Sequence, residues 1–166
     1  MIDINKIEKD INELSEKLVN RLIELKLFIS TAESCTGGMI ASSIVNVPNA
    51  SLCFCEGIIS YSNFAKMKYL GVSNITLSVE GAVSKQTVKE MALGIRKASG
   101  SEISVVSSGI AGPGGGTKEK PVGLVYLASS YLDKTFISKY IFEGNRYEVR
   151  MQATLEAIKM CLEMLE

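Results

Sequence analysis

Ser34 and Cys35 are neighbours in the segment AESCTGG (residues 32–38), straight after the apolar run Leu27-Phe28-Ile29, and either side chain could attack a carbonyl carbon. The layout is that of a strand turning through a nucleophile and two glycines into a helix. The chain contains no histidine, so a proton acceptor other than imidazole is needed. A lysine meets that need when burial in an apolar pocket disfavours its ammonium form and lowers its pKa. Lys66 in YSNFAK (residues 61–66) is the candidate. Tyr61 ends an expected strand and Lys66 lies a turn or two into the helix that follows, so both can reach the sheet edge from which Ser34 emerges. Tyr61 could orient the lysine or pass a proton to a leaving group. Cys35 is the stronger nucleophile in isolation, but forming its thiolate calls for an imidazole or a strong helix-terminus field. Ser34 with Lys66 is the more coherent pair. On spacing alone a structural or merely solvated role for either residue stays open. Backbone N–H groups at the Gly37-Gly38 helix start are the expected donors to an oxyanion.

The second stretch of special composition is the loop GIAGPGGGT, residues 109–117. It matches neither common nucleotide fingerprint. A P-loop needs Gly, four residues, then Gly-Lys-Ser/Thr, and counting from Gly112 reaches Thr117 while counting from Gly109 reaches Gly114 followed by Gly115. A dinucleotide fingerprint starting at Gly112 meets Thr117 where its third glycine belongs. What remains is a glycine-rich loop after a strand, whose N–H groups could line an anionic or polar ligand. A structural turn is the plainer alternative. Gly144-Asn145-Arg146 precedes the last helix with Arg150 one turn on, and an arginine there could clamp a phosphate or simply be solvated.

These residues need a scaffold, and hydrophobic periodicity outlines it. Ile4, Ile7, Ile11, Leu14, Leu18, Leu22 and Leu25 recur at spacings of three and four, giving one amphipathic helix over residues 1–26. That stripe either docks on its own domain or, being close to a heptad, forms the seam of a homodimer. Strands are expected at 27–31, 56–61, 103–108, 122–130 and 135–142, with a turn at 131–134. Helices are expected at 36–45, at 63–70 ending on Gly71, after the Ser84 N-cap, and from Tyr147 to the C-terminus. The last helix turns Ala153, Ala157, Ile158, Cys161, Leu162 and Leu165 inward. Alternating helices and short strands followed by a hairpin predict a single α/β domain over residues 1–166 with a mixed sheet.

Composition narrows the function classes. A chain of 166 residues can bury one substantial core. Eighteen basic and eighteen acidic residues cancel, so no general attraction to nucleic acid or to an anionic membrane is expected. No apolar run is long enough to span a bilayer, and the N-terminal MIDINKIEKDI lacks the features of a signal peptide. The protein reads as cytosolic. Cys35, Cys53, Cys55 and Cys161 form no CxxC pair and read as free thiols rather than a metal site.

Several blocks taken together resemble one family. TAESCTGG (31–38), YSN (61–63) with Lys66, LGV (70–72), GAVS (81–84), GIAGPGGG (109–116), EKPVG (119–123) and GNRYEVR (144–150) are similar, in order and spacing, to the C-terminal domain of the competence/damage-inducible protein CinA. That family includes the stand-alone nicotinamide-nucleotide amidase, and the likeness runs from about residue 6 to the C-terminus. The resemblance implies a three-layer α/β/α sandwich with a mixed sheet. It implies hydrolysis of the carboxamide of nicotinamide mononucleotide to nicotinate mononucleotide and ammonia, with no cofactor and no metal. Carried over by motif, the nucleophile is Ser34, the base Lys66 and the assisting residue Tyr61. Thr36, Gly37, Gly38 and Asn63 would line the substrate, as would Gly109, Ile110, Ala111, Gly112 and Gly115 of the glycine loop, with Arg146 on the phosphate. Ser60 departs from the family, standing where many relatives have threonine. A nucleotide-binding module tied to DNA uptake or damage response is the competing class, and hydrolysis of another pyridine or nucleotide amide a third reading.

Overall fold

The computed structural model describes residues 2–166. The chain runs α1 (Ile4–Leu25), β1 (Ile29–Glu33), α2 (Met39–Val45), β2 (Phe54–Ile59), α3 (Asn63–Leu70), α4 (Asn74–Val79), α5 (Lys85–Ser99), β3 (Ile103–Gly109), β4 (Leu124–Tyr131), β5 (Lys134–Ile141) and α6 (Arg146–Met164). A short 3₁₀ turn at Ala50–Leu52 precedes β2. The five strands form one sheet in the order β2-β1-β3-β4-β5. β1 pairs parallel with β2 and β3, while β3–β4 and β4–β5 are antiparallel. Helices cover both faces: the domain is a three-layer α/β/α sandwich with a mixed sheet.

The alternation of side chains along the strands divides the core in two. Ile29, Ile103, Val105, Val125 and Leu127 face α1, α2 and α6. Ala32, Val106 and Ala128 face α5 and α3, meeting Val88, Met91, Ala92, Ile95 and Leu70. The stripe of α1 finds its partner within the chain. Leu18, Val19 and Leu22 are fully buried in the larger cluster, and Ile4, Ile7, Ile11 and Leu14 pack with Met151 and Leu155 of α6.

Element boundaries differ from the sequence expectation where local caps intervene. β1 starts at Ile29 because α1 closes through Lys26 in the left-handed conformation, which turns the Lys26 amide to the Ile23 carbonyl and the Leu27 amide to the Leu22 carbonyl. α2 starts at Met39 because Gly37 and Gly38, both at positive φ, carry the chain through a turn first. β2 lies two residues earlier than expected, and the Ser60 amide then donates to the Glu33 carbonyl at the strand end. In the hairpin, Tyr131 already pairs with Lys134, leaving a two-residue turn at Leu132-Asp133. α4, which the sequence pattern did not suggest, is capped by the Ser73 side chain accepting from the Ile75 amide. α6 begins at Arg146 behind an Asn145–Glu148 capping box.

Candidate active site

The parallel strands β1, β2 and β3 all end at one edge, and the segments that follow them carry the candidate residues. This crevice outside the carboxyl ends of parallel strands is where α/β sheets place ligands. Ser34 leaves β1, Ser60 and Tyr61 leave β2, and Gly109 ends β3. The first turn of α3, capped by the Ser62 hydroxyl accepting from the Ala65 amide, brings Lys66 back beneath the strand ends.

Lys66 is buried to within 1% of its surface. Its Nζ lies 3.1 Å from Ser34 Oγ, 2.8 Å from the Ser60 carbonyl and 3.4 Å from the Tyr61 carbonyl. No carboxylate pairs with it among the described residues. Burial pushes its pKa down to about 8. An amine has two N–H donors and one lone pair. With the two carbonyls taking the donors, the lone pair is left for the Ser34 hydroxyl. Cys35, 5% exposed, has the opposite character: burial pushes its thiol up to about 11. It is protonated where Lys66 begins to lose its proton, which favours Ser34 as nucleophile.

Two charged groups that sequence reasoning left unassigned hold the Ser34 turn. The buried carboxylate of Glu33 accepts the amides of Gly38 (3.0 Å), Ile40 (3.1 Å) and Ala41 (2.8 Å) and the Thr36 hydroxyl (2.6 Å). It caps α2, whose N-cap position is a glycine with no side chain to do so. Arg150 of α6 donates from Nε to the Cys35 carbonyl (3.0 Å) and from Nη2 to the Thr36 carbonyl (2.7 Å). A carboxylate at the end of an apolar strand was the visible signal for Glu33. For Arg150 it was a position one turn beyond Arg146.

The other predicted residues separate into those at the cavity and those beside it. A cavity of about 210 Å³ is lined by Ser34, Cys35, Tyr61, Lys66, Ala82, Val83, Ser108, Gly109, Ala111 and Arg146. Arg146 crosses its mouth, donating to the Gly112 carbonyl (2.8 Å) and to the Tyr61 hydroxyl (3.0 Å). The Tyr61 phenol, 61% exposed, thus meets Arg146 rather than Lys66, and it is the main-chain carbonyl of Tyr61 that meets the lysine. Ala111 and Arg146 also border a second cavity of about 460 Å³ with Pro113, Val122, Tyr147 and Arg150. The Thr36 side chain is buried behind the turn, hydrogen-bonded to Glu33 and Ser107. Ile110 donates its amide to the Leu124 carbonyl and accepts the Gly123 amide on its own carbonyl. Asn63 and Gly115 are exposed and line neither cavity. The amides expected to receive an oxyanion are already engaged: Gly37 donates to the Ser34 carbonyl and Gly38 to Glu33.

Comparison with known proteins identifies the family and agrees with the fold. The sequence model of the CinA C-terminal domain matches residues 11–165. A putative competence-damage inducible protein of Clostridium beijerinckii (strain ATCC 51743 / NCIMB 8052) is 51% identical over 157 residues, covering 95% of this chain and 38% of that protein. A CinA-like protein of Kosmotoga olearia (strain ATCC BAA-1733 / DSM 21960 / TBF 19.5.1) is 54% identical over 145 residues, 87% of this chain and 35% of that one. The chain thus spans under two fifths of the length of these relatives. Among solved structures, competence/damage inducible protein CihA from Agrobacterium tumefaciens superposes with a TM-score of 0.91 at 40% identity, covering 94% of this chain and 95% of that one. The sequence match and the shared fold point the same way: this chain belongs to the CinA C-terminal domain family.

Proposed function

We propose that the chain is an amidase that hydrolyses the carboxamide of nicotinamide mononucleotide, using Ser34 as nucleophile and Lys66 as base. The observation that carries this reading is the Ser34 Oγ to Lys66 Nζ distance of 3.1 Å, with a lysine whose burial lowers its pKa to about 8. Neutral Lys66 takes the Ser34 proton as Oγ bonds to the carboxamide carbon. The tetrahedral oxyanion collapses, the C–N bond breaks, and the nitrogen leaves as ammonia with the proton from Lys66. Water, deprotonated in turn by Lys66, attacks the acyl-enzyme and releases the acid, and the proton returns to Ser34. In this reading the Tyr61 hydroxyl, at the cavity mouth beside Arg146, assists the departing nitrogen.

Substrate size and charge fit the two cavities. The smaller one beside Ser34 suits a pyridine carboxamide. The larger one, beyond Arg146, suits the ribose phosphate: Arg146 has no carboxylate partner among the described residues, leaving positive charge for a phosphate.

The test is ammonia release from nicotinamide mononucleotide by the wild type, Ser34→Ala and Cys35→Ala. Wild type and Cys35→Ala are expected to release ammonia, and Ser34→Ala to lose at least about three orders of magnitude in rate. An active Ser34→Ala beside an inactive Cys35→Ala overturns the choice of nucleophile. No release from the wild type, with the nucleotide bound, favours a binding module.

A further inference from the structure

The Cys35–Thr36 peptide is held more firmly than the fold requires. It lies outside any helix or strand, yet Arg150 reaches it from α6, 115 residues away in sequence. One guanidinium forks onto two successive carbonyls, those of Cys35 and Thr36. The Thr36 carbonyl also accepts the Met39 amide, whereas Arg150 is the only donor to the Cys35 carbonyl among the described residues. Gly37 leaves room for this contact: a Cβ there would stand 3.2 Å from Arg150 Nη2.

The contact has a directional consequence. The only cis peptide among the described residues is Gly112–Pro113, so the Cys35–Thr36 peptide is trans and its N–H points opposite to its C=O. Fixing the Cys35 carbonyl on Arg150 therefore turns the Thr36 amide away from the guanidinium. Around Ser34 the neighbouring amides differ in availability. Ser34 donates to the Ser107 carbonyl, Gly37 to the Ser34 carbonyl and Gly38 to Glu33. The Thr36 amide meets no acceptor among the described residues, whereas the Cys35 amide faces its own thiol.

We propose that Arg150 is a positioning residue for acyl transfer: by pinning the Cys35 carbonyl it presents the free Thr36 amide to the oxyanion that forms when Ser34 is acylated. This rests on the reading of Ser34 as the acylated nucleophile. Preorganised donors of this kind strengthen only as charge develops on the oxygen. Loss of Arg150 should accordingly fall on kcat rather than on KM. Lysine cannot replace it, since an ammonium is a point charge with no fork to span two carbonyls.

The test compares wild type, Arg150→Ala and Arg150→Lys in two assays: ammonia release from nicotinamide mononucleotide, and the rate at which a fluorophosphonate labels Ser34, which needs the same donors but no amide. With folding verified by thermal melts, Arg150→Ala is expected to lose about 10²–10³-fold in kcat and in labelling rate, with KM within about threefold. Arg150→Lys should recover little of this, and added guanidinium at sub-denaturing concentration should restore about tenfold or more to Arg150→Ala. Unchanged rates overturn the proposal. So does a raised KM with kcat intact, which makes Arg150 a substrate-anion contact, and so does a loss that guanidinium fails to relieve. A wild type labelled at Ser34 but releasing no ammonia overturns the amidase reading alone, and the labelling rates then decide the role of Arg150. A wild type that is neither labelled nor active overturns both.

Discussion

At the scale of single residues the proposed chemistry turns on one proton. Lys66 acts as a base only as the neutral amine, and burial brings the pKa of that form down to about 8. Below that value each pH unit removes about nine tenths of the competent enzyme, so the logarithm of kcat/KM should climb with unit slope up to about pH 8 and then level. A rate independent of pH between 6 and 8 would remove Lys66 from the role of base. The same shift is visible in stability. The unfolded lysine titrates near its ordinary 10.5 and the folded one near 8, so between those values the unfolded chain binds more protons. Stability must therefore rise with pH across this window. Lys66→Met has no such proton, and subtracting its unfolding free energy cancels every other titrating group. The wild type should gain on the order of 3 kcal/mol over Lys66→Met between pH 8 and 10.5 in denaturant melts. A flat difference means the lysine is not shifted.

At the scale of elements, the Ser34–Gly38 turn and the Tyr61–Lys66 segment were legible in the sequence because each is local: a strand end, a cap and a turn of helix fix where those side chains point. The partners of Glu33, Arg150 and Gly94 were not legible, because packing sets them. Gly94 reads as an indifferent glycine in the middle of α5. In the fold a Cβ on it would stand 1.8 Å from the carbonyl oxygen of Leu70, the last residue of α3. That close approach seats α3 on α5, and α3 carries Lys66. Gly94→Ala gains helix propensity, worth about 1 kcal/mol, but forces backbone apart, a strain that costs at least 1–3 kcal/mol. The net expectation is a lower melting temperature. Lys66 moves with α3, so the refolded variant should also lose activity out of proportion to its stability. An alanine variant as stable as wild type would show that the helices separate freely.

At the scale of the molecule, the candidate site lies where three parallel strand ends, the glycine loop and the start of α6 meet, while the antiparallel half of the sheet contributes core. Every residue of β1 is buried, as are the first six of β3. In contrast Ile75 and Val79 of α4 are each 75% exposed, and residues 113–119 are exposed throughout. The loop from Gly109 to Gly123 bridges these regimes. It is pinned at one side by Arg146 on the Gly112 carbonyl, and at the other by Lys120 on the Glu80 carbonyl. Local opening scales with exposure and sparse burial, so amide hydrogen exchange should be slowest in β1, β3 and the buried face of α5, and fast in α4 and residues 113–119. A ligand that fills both cavities contacts the loop and the Ser34 turn but neither the β4–β5 turn nor the outer face of α1. Adding nicotinamide mononucleotide to Ser34→Ala should therefore slow exchange at residues 34–38 and 109–123, with Leu132-Asp133 unchanged. Protection spread evenly over the chain would mean that binding stabilises the fold globally. Protection confined to α1 or β5 would place the ligand away from Ser34.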